Sequence, residues 1–224
     1  MDKDVIQEQI AYYRARAQEY DQSLAQNGTP NNPQENGEFE EAARMLRSRG
    51  AFKEVLELAC GTGIWTRLLL EIGQQVTAID ASPEMLELCR QKVGETRIRY
   101  QQADVFEWEP DQRYDLAFFA HWLSHVPPNS LASFLAKVTR AVRPGGQLFI
   151  VDQYAPTPED EQVAFDEIFA RRPLADQRTF TIVKVFYNLD ELLLRLQRLG
   201  FVVIARKLDT SFFALSGTLK PHLK

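Results

Sequence analysis

Short apolar runs alternate with helical patterns through the middle of this 224-residue chain. The runs lie at 54–59, 75–79, 97–101, 114–119 and 146–151, and apolar residues at helical spacing fill 63–72, 83–93 and 129–142. A strand that follows a strand through an intervening helix runs parallel to it, because the helix returns the chain to the same edge. Helices then cover both faces of the sheet. Local punctuation agrees. Ser82-Pro83 is a cap followed by proline at the first helical position, and Pro144-Gly145-Gly146 is a stop and turn.

The ends of the chain depart from this rhythm. An amphipathic stretch at about 4–25 is followed by the polar, turn-rich connector Asn27–Gly37 and a short helix at about 38–49 ending at Gly50. After the fifth run, residues 153–187 form an insertion that holds an expected helix at 158–171 and the mixed run Arg178–Tyr187. A helix at about 188–199 starts from the cap Asn188, with Asp190 and Glu191 in its first turn. Phe201–Lys207 and Thr210–Thr218 then read as two strands with little more than Asp209 between them. So tight a connection makes them antiparallel. Five strands and this pair give a seven-stranded, mostly parallel α/β sheet closed by a C-terminal antiparallel hairpin. The expected organisation is a helical lid and linker over 1–50 and a core over 51–224, with the insertion at 153–187 covering a site at the carboxyl ends of the strands, where open α/β sheets bind ligands.

Composition excludes several classes of partner. Net charge is −5 and pI about 5.4, which argues against a broad phosphate-binding surface and hence against nucleic acid. No apolar run approaches the roughly eighteen residues of a membrane span, and the opening Met-Asp-Lys-Asp lacks the apolar centre of a secretory signal. Cys60 and Cys89 show no metal-ligand spacing; Cys60 fills a turn that wants a small residue and Cys89 lies on an apolar helix stripe. A cytoplasmic protein without a metal is expected.

The chemistry concentrates at Glu57-Leu-Ala-Cys-Gly-Thr-Gly63, between the first strand and the first core helix, and at Asp80, which ends the second strand. Glycines here let backbone approach a ligand, and an acid at the end of the next strand accepts hydrogen bonds from ribose hydroxyls. A dinucleotide turn calls for a third small residue, yet Thr66 occupies that place. Glu57 sharpens the choice, since a carboxylate there repels a pyrophosphate and attracts an ammonium or sulfonium group.

With these residues the chain resembles the class I S-adenosylmethionine-dependent methyltransferases, whose first motif reads Asp/Glu-x-x-x-Gly-x-Gly. The resemblance spans roughly 50–219 and includes Asp80, Ala103-Asp104-Val105, Arg113-Tyr-Asp115, Arg143-Pro-Gly-Gly146 and the terminal hairpin. It implies a Rossmann-like fold and S-adenosyl-L-methionine as cofactor, with S-adenosyl-L-homocysteine as product. It further implies a cofactor pocket of Glu57, Ala59, Gly61, Gly63, Asp80, Ala81, Met85, Asp104, Val105 and Ala120. Of these, Asp80 would bind the ribose hydroxyls, and Asp104, or equally the backbone at Val105, would contact the adenine. Asp111 and Asp115 read as cap and turn residues instead. Tyr12-Tyr13-Arg14-Ala-Arg16-Ala-Gln-Glu-Tyr20 resembles the aromatic, basic lid helix of small-molecule members, so Tyr13 and Tyr20 are candidates to cover the methionine end.

Methyl transfer is an in-line displacement, and its catalysis is largely positioning. A base is needed only when the acceptor must lose a proton early, as a hydroxyl does. His121 and His125, just past the fourth strand, are the candidate catalytic residues, because imidazole titrates near neutrality. His121, Trp122, Arg172 and Arg178 are candidate substrate contacts. If the cations of the insertion face inward, they favour an anionic acceptor such as a carboxylic acid; otherwise they form a solvated face. The strand-four ending Phe-Phe-Ala-His lacks the Asn/Asp-Pro-Pro-Tyr run of methylases acting on nucleic-acid bases. The reading is a methyltransferase acting on O or N of a small molecule, as a monomer or homodimer. Its rivals are a non-catalytic cofactor-binding scaffold and a nicotinamide-dependent oxidoreductase.

Overall fold

The structure is a computed structural model that describes residues 3–20, 37–157, 160, 165–166 and 168–221. Most of the connector expected at 27–37 lies outside these residues, as do residues 158–159, 161–164 and 167 of the helix expected at 158–171. In chain order the elements are α1 (Lys3–Arg16), α2 (Gly37–Arg47), β1 (Phe52–Leu58), α3 (Ile64–Ile72), β2 (Gly73–Asp80), α4 (Pro83–Val93), β3 (Ile98–Gln102), β4 (Tyr114–Ala120), α5 (Pro128–Ala141), β5 (Val142–Gln153), β6 (Phe165–Asp166), β7 (Phe169–Pro173), β8 (Thr179–Val183), α6 (Leu189–Arg198), β9 (Phe201–Lys207) and β10 (Phe212–Leu219).

The main sheet has seven strands in the order β3-β2-β1-β4-β5-β10-β9. β1 to β5 pair in parallel, and β10 runs antiparallel between β5 and β9, so the mostly parallel sheet and the terminal hairpin are both present. Strand order reverses beside β1, which places a crevice at the carboxyl ends of β1, β2 and β4.

Alternate residues of the central strands feed two cores. Ala117 and Phe119 of β4 and Leu148 and Ile150 of β5 face α5 and α6 through Phe134, Leu135, Val138, Leu192 and Leu196. Leu116, Phe118, Phe149 and Val151 face α2 and α3 through Leu46, Trp65, Leu68 and Leu69. Fully burying a side chain of this size contributes about 1.5–3 kcal/mol, and the rings of Trp65 and Phe118 add a tilted contact at 5.2 Å. Asp115 is structural, as its position suggests: its Oδ2 accepts from the N–H groups of Lys53 and Glu54 at 2.7 and 2.9 Å, tying the start of β1 to β4.

The insertion differs from expectation. Phe165–Asp166 and Phe169–Pro173 are strands, not the end of a helix, and with β8 they form a three-stranded antiparallel sheet. Pro173 disfavours helical geometry at the residue before it. The run Thr179-Phe-Thr-Ile-Val183, rich in β-branched residues, supplies a strand to pair with.

Helix α1 docks on this small sheet. Tyr12 is buried with Ala170, Leu174 and Ile182. The N–H of Thr181 donates to Glu8 at 2.6 Å, and that of Val183 donates to Gln9 Oε1 at 3.0 Å. At its far end, Arg14 reaches α4 with paired hydrogen bonds to the Glu84 carboxylate. α1 therefore bridges the insertion and the main sheet.

Candidate active site

A cleft opens where α1 crosses the carboxyl ends of β1, β2 and β4. Its floor is built from the turns that follow these strands.

After β1, Ala59 sits at φ 53°, a left-handed conformation that a non-glycine residue adopts at a cost of roughly 1–2 kcal/mol. Gly61 follows at φ 54° and lines the cleft, and a Cβ added to it would meet nothing within 4 Å. A ligand can thus lie directly against its backbone. Gly63 has a different task. A Cβ there would come within 2.6 Å of Cys89 Sγ and 3.0 Å of Val93, so this glycine lets α3 pack on α4 behind the cleft wall. Glu57 also stands behind the wall, 2 % exposed, with Oε2 accepting the Thr66 hydroxyl at 2.6 Å. Thr66, in place of a third small residue, is what holds this acid. Burial raises the Glu57 carboxyl well above its ordinary value, so a positively charged ligand beyond the turn would favour its ionised form.

Asp80, at the end of β2, fixes the turn and faces the cleft. Its Oδ2 accepts from the Gly61 N–H and its Oδ1 from the Ser82 N–H, each at 2.9 Å. Ser82 caps α4 by accepting from the Met85 N–H at 3.1 Å, and its hydroxyl donates to Glu84, the residue held by Arg14 of α1. Desolvation pushes the Asp80 carboxyl up to about 6, against the hydrogen bonds from Ser82, Gly61 and Ala81. Ala81 and Met85 line the same side, and Asp104 and Val105 follow from the loop after β3. Burial raises the Asp104 carboxyl, whose Oδ1 accepts from the Phe106 N–H at 2.9 Å. That loop has a brace the sequence did not reveal. Lys137 of α5 donates to the carbonyls of Val105 and Phe106 at 3.3 and 2.7 Å.

The opposite wall comes from Ala120, His121, Trp122 and His125 after β4. His121 is a second left-handed non-glycine residue, at φ 53°. Such strain gathers at functional sites, where the surroundings over-determine it. The His121 side chain is open to the cleft and makes an edge contact with Phe212; its ring nitrogens have no hydrogen bond among the described residues. Its imidazole lies below the ordinary value through desolvation, which Asp152 opposes and Lys184 reinforces. Trp122 packs on Phe106, and its Nε1 is buried without a partner among the described residues. His125 is 7 % exposed and has both nitrogens engaged, Nδ1 with the Val183 carbonyl at 2.7 Å and Nε2 with the Tyr13 hydroxyl at 2.8 Å.

Thirteen of the residues singled out from sequence meet in one cleft, including Tyr13 and Tyr20 of the lid segment. The insertion cations do not line it. Arg178 is exposed and paired with Asp176 at 2.7 Å, and Arg172 is paired with Asp160 at 2.5 Å. Ile6, Gln9, Ile10 and Ser82 line the cleft as well and were not anticipated. The signal for the first three was present, because Ile6, Gln9, Ile10 and Tyr13 recur at i, i+3, i+4 and i+7 along one helix face.

The arrangement suits S-adenosylmethionine: open backbone at Gly61, a carboxylate for a diol at Asp80, and a buried acid without a cation behind the turn. The family model described as "Methyltransferase domain" matches residues 55–146. The structure described as the DhpI–SAH complex is 36% identical to this chain, covers 99% of it and is itself covered completely, with a TM-score of 0.82. The chain belongs to the class I S-adenosylmethionine-dependent methyltransferases. A second structure, described as the DhpI-SAM-HEP complex, is 37% identical over 95% of this methyltransferase and 97% of that chain, with a TM-score of 0.79. The ubiquinone biosynthesis O-methyltransferase of Proteus mirabilis (strain HI4320) is 38% identical over 109 residues, which are 46% of this chain and 43% of that relative. The chain thus spans less than half the length of this curated relative. Its cofactor is S-adenosyl-L-methionine. No helix among the described residues is long and apolar enough to cross a membrane.

Proposed function

We propose that this methyltransferase transfers a methyl group from S-adenosylmethionine to an oxygen or nitrogen of a small-molecule acceptor. The observation that carries the reading is the continuity of the cleft. Asp80 and Asp104, suited to a nucleoside, and His121, Trp122 and Tyr13, suited to an acceptor, line one cleft. The cofactor supplies an electrophilic methyl group on sulfur. Everything else falls to the chain: Asp80 would hold the ribose hydroxyls, Gly61 would give close approach, and the residues after β4 would set the acceptor against the methyl group.

The two histidines divide on geometry. His125 has no free nitrogen, whereas His121 has both and faces the cleft, so His121 is the group able to take a proton from an acceptor hydroxyl or ammonium. Arg172 and Arg178 remain substrate contacts only in a state where α1 or the insertion moves. The name of the Proteus mirabilis relative, an O-methyltransferase, supports oxygen as one acceptor atom. The net charge of −5 supports a small acceptor over nucleic acid. Residues 1–50 would serve as lid and linker, residues 51–224 as core and residues 153–187 as cover. The enzyme would be cytoplasmic, a monomer or homodimer.

Incubation with methyl-labelled S-adenosylmethionine and a panel of phenols, amines and carboxylic acids tests the activity. Label recovered in an acceptor is the expected result, abolished by Asp80→Ala. Homocysteine-form binding without label in any acceptor would favour the scaffold reading.

A further inference from the structure

The Tyr13–His125 contact has a direction, and the direction has a consequence for what the cleft accepts. A backbone carbonyl only accepts hydrogen bonds. His125 Nδ1, 2.7 Å from the Val183 carbonyl, must therefore carry a proton. A neutral imidazole with its proton on Nδ1 has a bare Nε2, and the group 2.8 Å away, the Tyr13 hydroxyl, must donate to it. His125 is neutral for a physical reason: it is buried, and Lys184 and Arg172 beside it resist a further positive charge, which holds it down at about 3. Gln9 locks the frame from the other side. Its Oε1 accepts from the Val183 N–H at 3.0 Å and its Nε2 donates to the His125 carbonyl at 3.4 Å.

The phenol proton is thus committed, and Tyr13 makes no other hydrogen bond among the described residues. Burial raises its hydroxyl well above its ordinary value, so it stays neutral. We infer that Tyr13 is a specificity-determining residue whose oxygen offers the cleft lone pairs alone, so that it receives a proton-donating group, an N–H or O–H. This rests on the methyltransferase reading and adds the polarity of its acceptor. Asp80 and Asp104 occupy the β2–β3 side of the cleft, while Tyr13 meets His125 beside the residues that follow β4. Asp80 would hold the ribose, which leaves the reacting end of the cofactor toward Tyr13.

Two ligands test this without knowledge of the natural acceptor: S-adenosylhomocysteine, and sinefungin, in which an amine-bearing carbon stands in place of the methylated sulfur. The wild-type protein should bind sinefungin about tenfold or more tightly than S-adenosylhomocysteine, as a charge-assisted hydrogen bond allows. Tyr13→Phe should remove that preference and leave S-adenosylhomocysteine affinity within about threefold. His125→Ala should erode the preference too, because it frees the phenol proton to turn toward the ligand. No sinefungin preference in the wild type, or an equal preference in Tyr13→Phe, would overturn the assignment. Failure of the wild type to bind either ligand would instead overturn the cofactor reading beneath it. Nitrogen-15 spectra of the histidine rings give a second check that needs no variant. A neutral His125 with its proton on Nδ1 is expected, and a proton on Nε2 would contradict the proposal.

Discussion

At the scale of single residues, the first motif performs three separate tasks. Gly61 opens the backbone to a ligand, Gly63 lets two helices touch, and Glu57 stores a buried acid held by Thr66. The two glycines should therefore fail differently when replaced by alanine. Gly61→Ala should cost about 1 kcal/mol of stability, the strain of a left-handed alanine, and weaken S-adenosylhomocysteine binding by tenfold or more, since its Cβ enters the cleft. Gly63→Ala adds a contact of 2.6 Å with Cys89 Sγ to the same strain. It should lower stability by a further ~1–3 kcal/mol, as overpacking does. Thermal melts with and without S-adenosylhomocysteine separate the two. Sequence showed that both glycines matter, but the direction in which each Cβ would point depends on the turn. That is a tertiary property.

Asp80 carries a pH signature. Its carboxyl is raised to about 6 from an ordinary value near 4. A raised acid holds its proton in the folded state, so the folded protein without ligand loses stability as pH rises from about 4 to 6. Binding ribose hydroxyls needs the ionised carboxylate, so the ligand has to displace that proton at low pH. S-adenosylhomocysteine affinity should fall as pH drops through about 6, approaching tenfold per unit below it. Asp80→Asn should bind more weakly at pH 8 and lack this inflection. Calorimetric titrations at several pH values read both.

At the scale of elements, one wall of the cleft depends on α1, which is held both by the apolar cluster around Tyr12 and by buried hydrogen bonds. Gln9 is 1 % exposed and spans the Val183 N–H and the His125 carbonyl. Gln9→Leu would strand both groups in the interior, at about 1–3 kcal/mol for an unmet buried donor. Amide exchange should then accelerate in α1 and β8 while β4 and β5 keep their protection. Uniform acceleration across the sheet would show that α1 is part of the main cooperative unit. The Arg14–Glu84 pair contributes less, because both side chains are substantially exposed, at 51 and 40 %. The elements of the main sheet were legible because each obeys a local rule: alternation of burial, the Ser82 cap, the Pro144-Gly-Gly146 turn. The insertion was not. Its first two strands exist because β8 pairs with β7 and α1 buries Ala170 and Ile182, contacts distant in sequence. Lys137 was missed for the same reason, since only the packed structure brings α5 to the loop after β3.

At the scale of the whole molecule, a sheet that reverses order beside β1 places the cleft, and α1, docked on an inserted sheet, crosses it. This explains how much of the site the sequence could show. The half proposed to bind cofactor comes from strand ends with fixed motifs, and Asp80, Gly61 and Asp104 line the cleft where their spacing puts them. The half proposed to meet the acceptor comes from α1 and the residues after β4, where position is set by docking. There the candidate cations Arg172 and Arg178 turned out to be paired with neighbours, and the polar groups at the cleft are Tyr13, Gln9 and His121. The most direct test of the account is calorimetry of this chain with S-adenosylhomocysteine and, separately, with NAD. Saturable binding of S-adenosylhomocysteine at one site per chain, abolished by Asp80→Ala and absent for NAD, is the predicted result. Tight NAD binding with no heat from S-adenosylhomocysteine would contradict it.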